Sequence, residues 1–374
     1  MVNIINEKDE VFMREAISLA QGFGNITLPN PRVGACLVKD GSIISRGVHK
    51  SYGSQHAEVD CIKNASQTQG CELYVTLEPC NHFGKTPPCT NAIINAGIKR
   101  VVVSTRDNNP NVAGGGVEAL ISAGINVTTG VLENEGQELN KDYFFAHQHK
   151  RPYVHLKYAM TLDGKIADNQ GEARWISGKE ARSITHSIRA NVAGVLIGKN
   201  TAIRDNPALT VRDTTNINFR YKQPTRILLD SCLSIPVDTN LTKDCNLYPT
   251  IIAATVADER KRNDLIKRGV VISILPDASS KQIILKPLLE SLYSKGIYSI
   301  LVEGGSQVNA SFFNERIGEE IHVFIAPMLL GGENIYPPFS GVPTRTISSS
   351  IRIDKPIWAF AGNDGYLHGI PKWQ

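Results

Sequence analysis

The sequence predicts an α/β protein built as two domains, and three observations carry that reading. The chain has 374 residues, enough for two domains of about 150 residues or somewhat more each. Strand-like apolar runs alternate with helical patterns, the signature of layered α/β sheets. The alternation breaks once, at a polar, basic stretch ending in Arg151-Pro152, after which a fresh apolar strand begins at Tyr153. The expected domains are therefore 1–150 and 151–374.

In the first half, Phe12, Ala16, Leu19 and Ala20 share one face of a helix over residues 9–20. RVGACLV and SIISRGV read as strands joined by Lys39-Asp40-Gly41, a hairpin signal. A helix from about His56 follows, then the strand ELYVTL, the loop EPCNHFGKTPPC and a helix ending near Gly97. The strand RVVVS, the helix VEALISAG and the strand INVTTGV complete this half. In the second half, strands are expected near 153–160, 192–197, 225–230, 250–255, 270–275, 298–302 and 320–326, with helices between. EIHVFIAP is expected to be the last strand, followed by a loop-rich tail.

Hydrophobic residues make up 41% and charged residues 20%, which excludes a disordered or fibrous chain. The net charge of +4 is too weak and scattered to argue for nucleic acid or a membrane surface. No apolar run reaches the roughly 18 residues of a membrane helix. The acidic, helical N-terminus does not resemble a secretory signal. Seven cysteines, an odd number, suit a reducing cytosol better than a disulfide framework. Together these predict a cytoplasmic enzyme with no membrane or nucleic-acid partner.

Most of the cysteines read as small core residues, Cys36 in VGACLV and Cys61 after HAEVD among them. Cys80 and Cys89 differ, because they flank a polar loop. With His56 they make one imidazole and two thiolates, three ligands for zinc, with the fourth tetrahedral position open for water. His56 and Cys89 fall where helices should begin, and a helix N-terminus favours a thiolate. Glu58 stands two residues past the histidine, where it can take the water's proton and hand it to a departing nitrogen. A structural zinc site would need a fourth ligand, and His82 is the only local candidate. The pattern H-x-E, then P-C, then C is the signature of zinc deaminases.

Eight residues, NHFGKTPP, separate the two cysteines, where nucleoside and transfer-RNA deaminases carry a short P-C-x-x-C. With Asn30-Pro31-Arg32-Val33-Gly34, TLEPCNHFGKTPPC and DNNPNVAGGG, the first half resembles the deaminase of the bifunctional riboflavin-biosynthesis deaminase/reductase family. The likeness continues through AGINVTTGVLENE, LKYAMTLDGKIA, WISGKEAR, IRANVAGVLIGKNTAIRDNPALTVR and LVEGGSQV, nearly the whole chain in order.

The resemblance implies a cytidine-deaminase-like α/β/α domain followed by a dihydrofolate-reductase-like α/β domain. It implies one zinc ion per chain and hydrolytic deamination of a diamino-pyrimidinone bearing a phosphoribosylamino arm, with Glu58 as proton shuttle. Asn30, His49, His82, Lys85, Thr86, Asp107 and Asn109 would line that substrate pocket. On their residues alone, Asp107-Asn108-Asn109-Pro110 also reads as a plain turn, and His49 as a surface histidine at a strand end.

For the second half the resemblance implies NADPH and hydride transfer to the sugar. No G-x-G-x-x-G opens a βαβ unit, so a Rossmann reading is unsupported. Ala159, Trp175, Thr201, Asp205, Ser231, Gly305, Ser306, Gln307, Val308, Asn309, Ala310 and Ser311 match cofactor positions. A Gly turn opening a helix is a phosphate site in its own right. Trp175 equally reads as core packing. Lys157, Ala173, Arg189, Leu209, Arg212 and Glu303 match substrate positions. Arg189 and Arg212 suit a sugar phosphate, although Arg189 also reads as a solvated helix face. The family is commonly oligomeric, which implies a homo-oligomer acting on a small phosphorylated pyrimidine.

Two positions depart from the family pattern. Thr161 stands for a serine, and Ala173 stands where a hydroxyl residue is usual. The second admits an alternative, a deaminase with a silent second domain. A nucleic-acid-editing deaminase would call for a basic, aromatic-rich surface and a short P-C-x-x-C. A non-enzymatic paralogue would be expected to lose Glu58 or a metal ligand, and all are present.

Overall fold

A computed structural model describes residues 6–83, 87–109, 115–256, 258–275, 282–333 and 336–373. Two compact units emerge. The first runs to Lys150 and also takes Asn218–Lys222, and the second holds the remainder. That excursion had no signal in the sequence: Arg220 exchanges backbone hydrogen bonds with Gly22 and Gly24, at 2.9 and 2.7 Å.

The first unit contains α1 (Glu7–Gln21), β1 (Gly34–Lys39), β2 (Ser42–Val48), α2 (Ala57–Lys63), β3 (Glu72–Leu77), α3 (Cys89–Asn95), β4 (Arg100–Thr105), α4 (Gly116–Ser122), β5 (Asn126–Thr129), α5 (Glu133–Leu139) and α6 (Lys141–His149). Its sheet has the order β2-β1-β3-β4-β5. Asp40 and Gly41 both take positive φ, 49° and 78°, as a tight hairpin turn between β1 and β2 requires. β4 is buried on both faces. Val101 and Val103 join Leu37, Leu73 and Ile93 on one side, while Val102 joins Met13, Ile17 and Tyr74 on the other. Each such Val or Leu contributes about 1.5–3 kcal/mol on burial. Cys36, Cys61 and Cys71 are core residues, and no two of the seven cysteines are joined.

The stretch before Arg151, read from sequence as a polar junction, is helical, forming α5 and α6. Leu139, Tyr143 and Ala146 recur at helical spacing and are buried. The intervening lysines and histidines masked that stripe.

The second unit contains β6 (Tyr153–Thr161), α7 (Lys179–Asn191), β7 (Gly194–Gly198), α8 (Lys199–Asp205), β8 (Thr225–Leu229), β9 (Thr250–Ala254), α9 (Glu259–Lys267), β10 (Val271–Ile274), α10 (Leu285–Ser294), β11 (Ser299–Val302), α11 (Ser306–Asn314), β12 (Glu320–Ala326), β13 (Arg352–Ala361) and β14 (Asp364–Lys372). Its sheet order is β10-β9-β8-β7-β11-β6-β12-β14-β13. The strands from β10 to β12 are parallel, and the last two antiparallel.

Two expectations fail here. The tail is loop only as far as residue 351: β13 and β14 then add a hairpin to the sheet, with Phe324 opposite Tyr366. Its Gly, Asn and Pro residues hide the strand pattern, and the register shifts at Lys355-Pro356. The connection from β8 to β9 carries no helix. It is held by buried Arg226, which donates to the carbonyls of Asn240, Lys243 and Tyr248 at 2.8, 3.0 and 2.6 Å. Among the described residues, no helix is long and apolar enough to cross a membrane.

Candidate active sites

In the first unit, the ends of three elements converge. His56 is the N-cap of α2, Cys80 follows β3, and Cys89 is the first residue of α3. Gly47 allows this packing, because a Cβ there would overlap the Ala57 carbonyl. His56 Nδ1 lies 3.2 Å from Cys89 Sγ and 3.5 Å from Cys80 Sγ. Nitrogen and sulfur ligands of a tetrahedral zinc ion stand about 3.6 Å apart, so the donor set and its spacing fit that ion.

The Cys89 thiol, opposed by burial and helped by His56 and the Cys89 amide, brings the Cys80 thiol down to about 4. The same partnership pushes Cys89 up. Glu58 is buried, and burial pushes its carboxyl up to about 7 against the opposing pull of His56. A dication beside it would act in the same direction as His56.

His49 is buried, which removes its reading as a surface residue. Its Nδ1 donates to the Gln55 carbonyl at 3.0 Å, so Nε2 accepts from Asn30 Nδ2 at 3.1 Å. Burial lowers its pKa, which keeps the ring neutral. Its ring meets that of His56 edge-on at 5.4 Å. Thus Asn30 and His49 stand beside this donor set. His82 is exposed, and Lys85 and Thr86 lie outside the described residues. Asp107 accepts from the Asn109 amide at 2.9 Å, as in a turn. Burial pushes its carboxyl up to about 6.

In the second unit, a cleft of about 580 Å³ opens beside α8 and α11. Thr201, Asp205, Ser231, Gly305, Ser306, Gln307 and Val308 line it. A Cβ at Gly304 would lie 2.5 Å from Val308 Cβ, so glycine is what lets α11 start there. The wall ends at Val308. Asn309 and Ala310 are buried and Ser311 is exposed, because only the first turn of a helix faces a cleft at its N-terminus. Ala159 is also off this wall, and so is Trp175, which is 69% exposed under the Arg182 guanidinium rather than in the core. Ala173, expected on the substrate side, lines the same cleft as Thr201 and Asp205.

The other expected substrate residues divide into two groups. Lys157, Arg189 and Glu303 form a half-buried charged cluster, while Arg212 is exposed and Leu209 is in the core with φ +52°. The Arg189 fork expected to grip a phosphate is already engaged with Glu303.

Residues 6–105 match the cytidine and deoxycytidylate deaminase zinc-binding region, and residues 152–357 match the RibD C-terminal domain. The riboflavin biosynthesis protein RibD of Aquifex aeolicus is 43% identical, the alignment covering 96% of this chain and 98% of that protein. That of Bacillus amyloliquefaciens is 41% identical over 97% and 96%. The chain belongs to the RibD family. Among solved structures, Acinetobacter baumannii RibD superposes with a TM-score of 0.89 at 34% identity, covering 98% of this chain and 99% of that one. A deaminase/reductase of this kind from Thermotoga maritima gives 0.84 at 35% identity over 98% and 99%.

With both RibD halves present, three supporting residues stand out that sequence reasoning passed over. Glu78 is buried and accepts from the amides of Asp107 and Val117 at 3.3 and 3.1 Å, tying the β3 end to the loop after β4 and to the first turn of α4. Its place beside Pro79-Cys80 was the available signal. Tyr143 on α6 links Asn109 and Asp107 through its hydroxyl, at 3.0 and 3.3 Å. His186 on α7 accepts from the Arg212 amide at 3.3 Å. Neither has a local signal, since both act across the fold.

Proposed function

We propose that this chain catalyses two consecutive steps of riboflavin biosynthesis on one small phosphorylated pyrimidine. The first is hydrolytic deamination of 2,5-diamino-6-(5-phosphoribosylamino)pyrimidin-4-one, in the domain of residues 1–150. The second is NADPH reduction of the ribosyl arm to ribityl, in residues 151–374, giving 5-amino-6-(5-phosphoribitylamino)uracil. The observation that carries the reading is the His56, Cys80 and Cys89 donor set with buried Glu58 two residues from the histidine.

When bound, zinc supplies the Lewis acidity that makes water nucleophilic near neutral pH. Glu58 accepts that water's proton on its carboxylate and returns it to the departing nitrogen. Neutral His49, its tautomer set by Gln55, and Asn30 read the polar edge of the ring. Asp107 and Asn109, steadied by Tyr143, bind the substrate, a role that the family resemblance also gives to His82, Lys85 and Thr86.

In the reductase, NADPH supplies the hydride. Gly305, Ser306, Gln307 and Val308, which line the cleft at the start of α11, would hold its phosphates. Thr201, Asp205, Ser231 and Ala173 form the facing wall. Lys157 and Arg212 bind the sugar phosphate, and Arg189 holds Glu303 in place. The intact cleft and the Arg189–Glu303 pair favour a working reductase over a silent one. Exposed Ile357, Trp358 and Phe360 on β13 support a homo-oligomer, which light scattering in solution tests.

The deciding assay supplies the diamino-pyrimidinone phosphoriboside with and without NADPH. Ammonia release is expected in both arms, and loss of nicotinamide absorbance only when NADPH is present and deamination has occurred. No ammonia release from zinc-loaded enzyme would sink the reading.

A further inference from the structure

We propose a second metal site, in the reductase unit, built from His155, Glu320 and His322 and suited to a zinc-class divalent ion. It shares no residue with the deaminase ligands.

Strand register assembles it. Glu320 pairs with His155 between the parallel strands β12 and β6, and His322 pairs with His368 between β12 and β14. Paired residues point to the same face, and period two puts His322 on the face of Glu320. One sheet face therefore gathers side chains from three strands.

The spacing is that of a coordination shell. His155 Nδ1 lies 3.2 Å from Glu320 Oε2 and 3.3 Å from His322 Nε2, and His322 Nε2 lies 3.8 Å from Glu320 Oε2. Nitrogen and oxygen ligands about 2.05 Å from a tetrahedral zinc ion stand about 3.3 Å from one another. All three side chains are less than 10% exposed.

Outer partners orient the donors as they do around known metal sites. The Tyr366 hydroxyl lies 2.8 Å from His322 Nδ1, so it can take the Nδ1 proton and put the lone pair on Nε2, toward the other two donors. Tyr153 donates to the second Glu320 oxygen, Oε1, at 3.1 Å. His368 Nε2 lies 3.0 Å from Glu320 Oε2, and its ring stacks on His322 at 4.5 Å. Three imidazole nitrogens thus converge on one carboxylate oxygen. The ion would tie β6 to β12, the strand that carries the C-terminal hairpin.

The test is metal stoichiometry. Full-length protein is equilibrated with zinc, passed over a weak chelating resin and measured by mass spectrometry. Two zinc ions per chain are expected. Cys80→Ser with Cys89→Ser should retain one. Its cobalt derivative should show ligand-field bands of a nitrogen/oxygen site without the near-ultraviolet thiolate charge-transfer band. Adding Glu320→Gln or, separately, His322→Ala should remove that last ion, with circular dichroism reporting the folded state. One zinc per chain in the parent protein overturns the proposal without any variant. So does a second ion that survives both changes in folded protein, because it must sit elsewhere.

Discussion

Arg189 and Glu303 form a two-point ion pair, with Nε to Oε1 at 2.5 Å and Nη2 to Oε2 at 2.9 Å. Arg189 also donates to the Thr210 carbonyl at 3.1 Å, and both side chains are 11% exposed. The pair fastens α7 to the end of β11. Burial alone would raise the Glu303 carboxyl, but Arg189 and Lys157 bring it below its ordinary value.

Glu303→Ala leaves Arg189 and Lys157 as half-buried cations without their counter-charge. The expected result is a loss of about 3–5 kcal/mol in stability, with NADPH-dependent turnover falling at least about 100-fold. Ammonia release should stay near the parent level at temperatures where the protein is folded. Parallel loss of both activities in folded protein would contradict two separate sites.

Glu58→Gln keeps shape and volume but removes the proton acceptor. Zinc content should be unchanged, while deamination drops by about 10²–10⁴-fold. Metal analysis beside an ammonia assay checks this. Near-parent turnover would refute the proton role.

Gly304→Ala places a methyl 2.5 Å from Val308 Cβ. Relieving the overlap moves α11, at a cost of about 1–3 kcal/mol. The KM for NADPH should rise while deamination is spared. An unchanged KM would mean that α11 does not set the cofactor's place.

Acid should destabilise the first unit through Asp9. Burial by itself would raise this carboxyl, but Arg100 at 2.9 Å, Tyr74 at 2.9 Å and the Asn6 amide bring it below its ordinary value. A folded-state pKa below the unfolded one contributes stability that is full above about 3.9 and is lost as pH falls through the folded value. Melting temperature should therefore fall in acid. Asp9→Asn should lower it at neutral pH and flatten that acid limb in circular dichroism melts.

The convergence of His56, Cys80 and Cys89, with Glu58 close by, was legible because its information is local. His56, Glu58, Cys80 and Cys89 lie at helix starts and a strand end that their own neighbours specify, and period and turn residues located those elements. The glycine turn that opens α11 was legible for the same reason, but how much of the helix faces the cleft was not. Only packing decides that Val308 faces the cleft and Asn309 faces inward. The β13–β14 hairpin escaped because its pairing with β12 overrides a weak local preference.

From the order of residues alone came two α/β halves, the His56, Cys80 and Cys89 candidate set, and the family. Tertiary structure alone decided that Arg189 grips Glu303, which lies far along the chain. It alone brought His155 beside Glu320 and His322, and residues 218–222 to the first unit. The reason is physical. Helix starts and turns are set by interactions within a few residues, whereas ion pairs and imidazole clusters form only when strand register and burial bring distant side chains into one low-dielectric place.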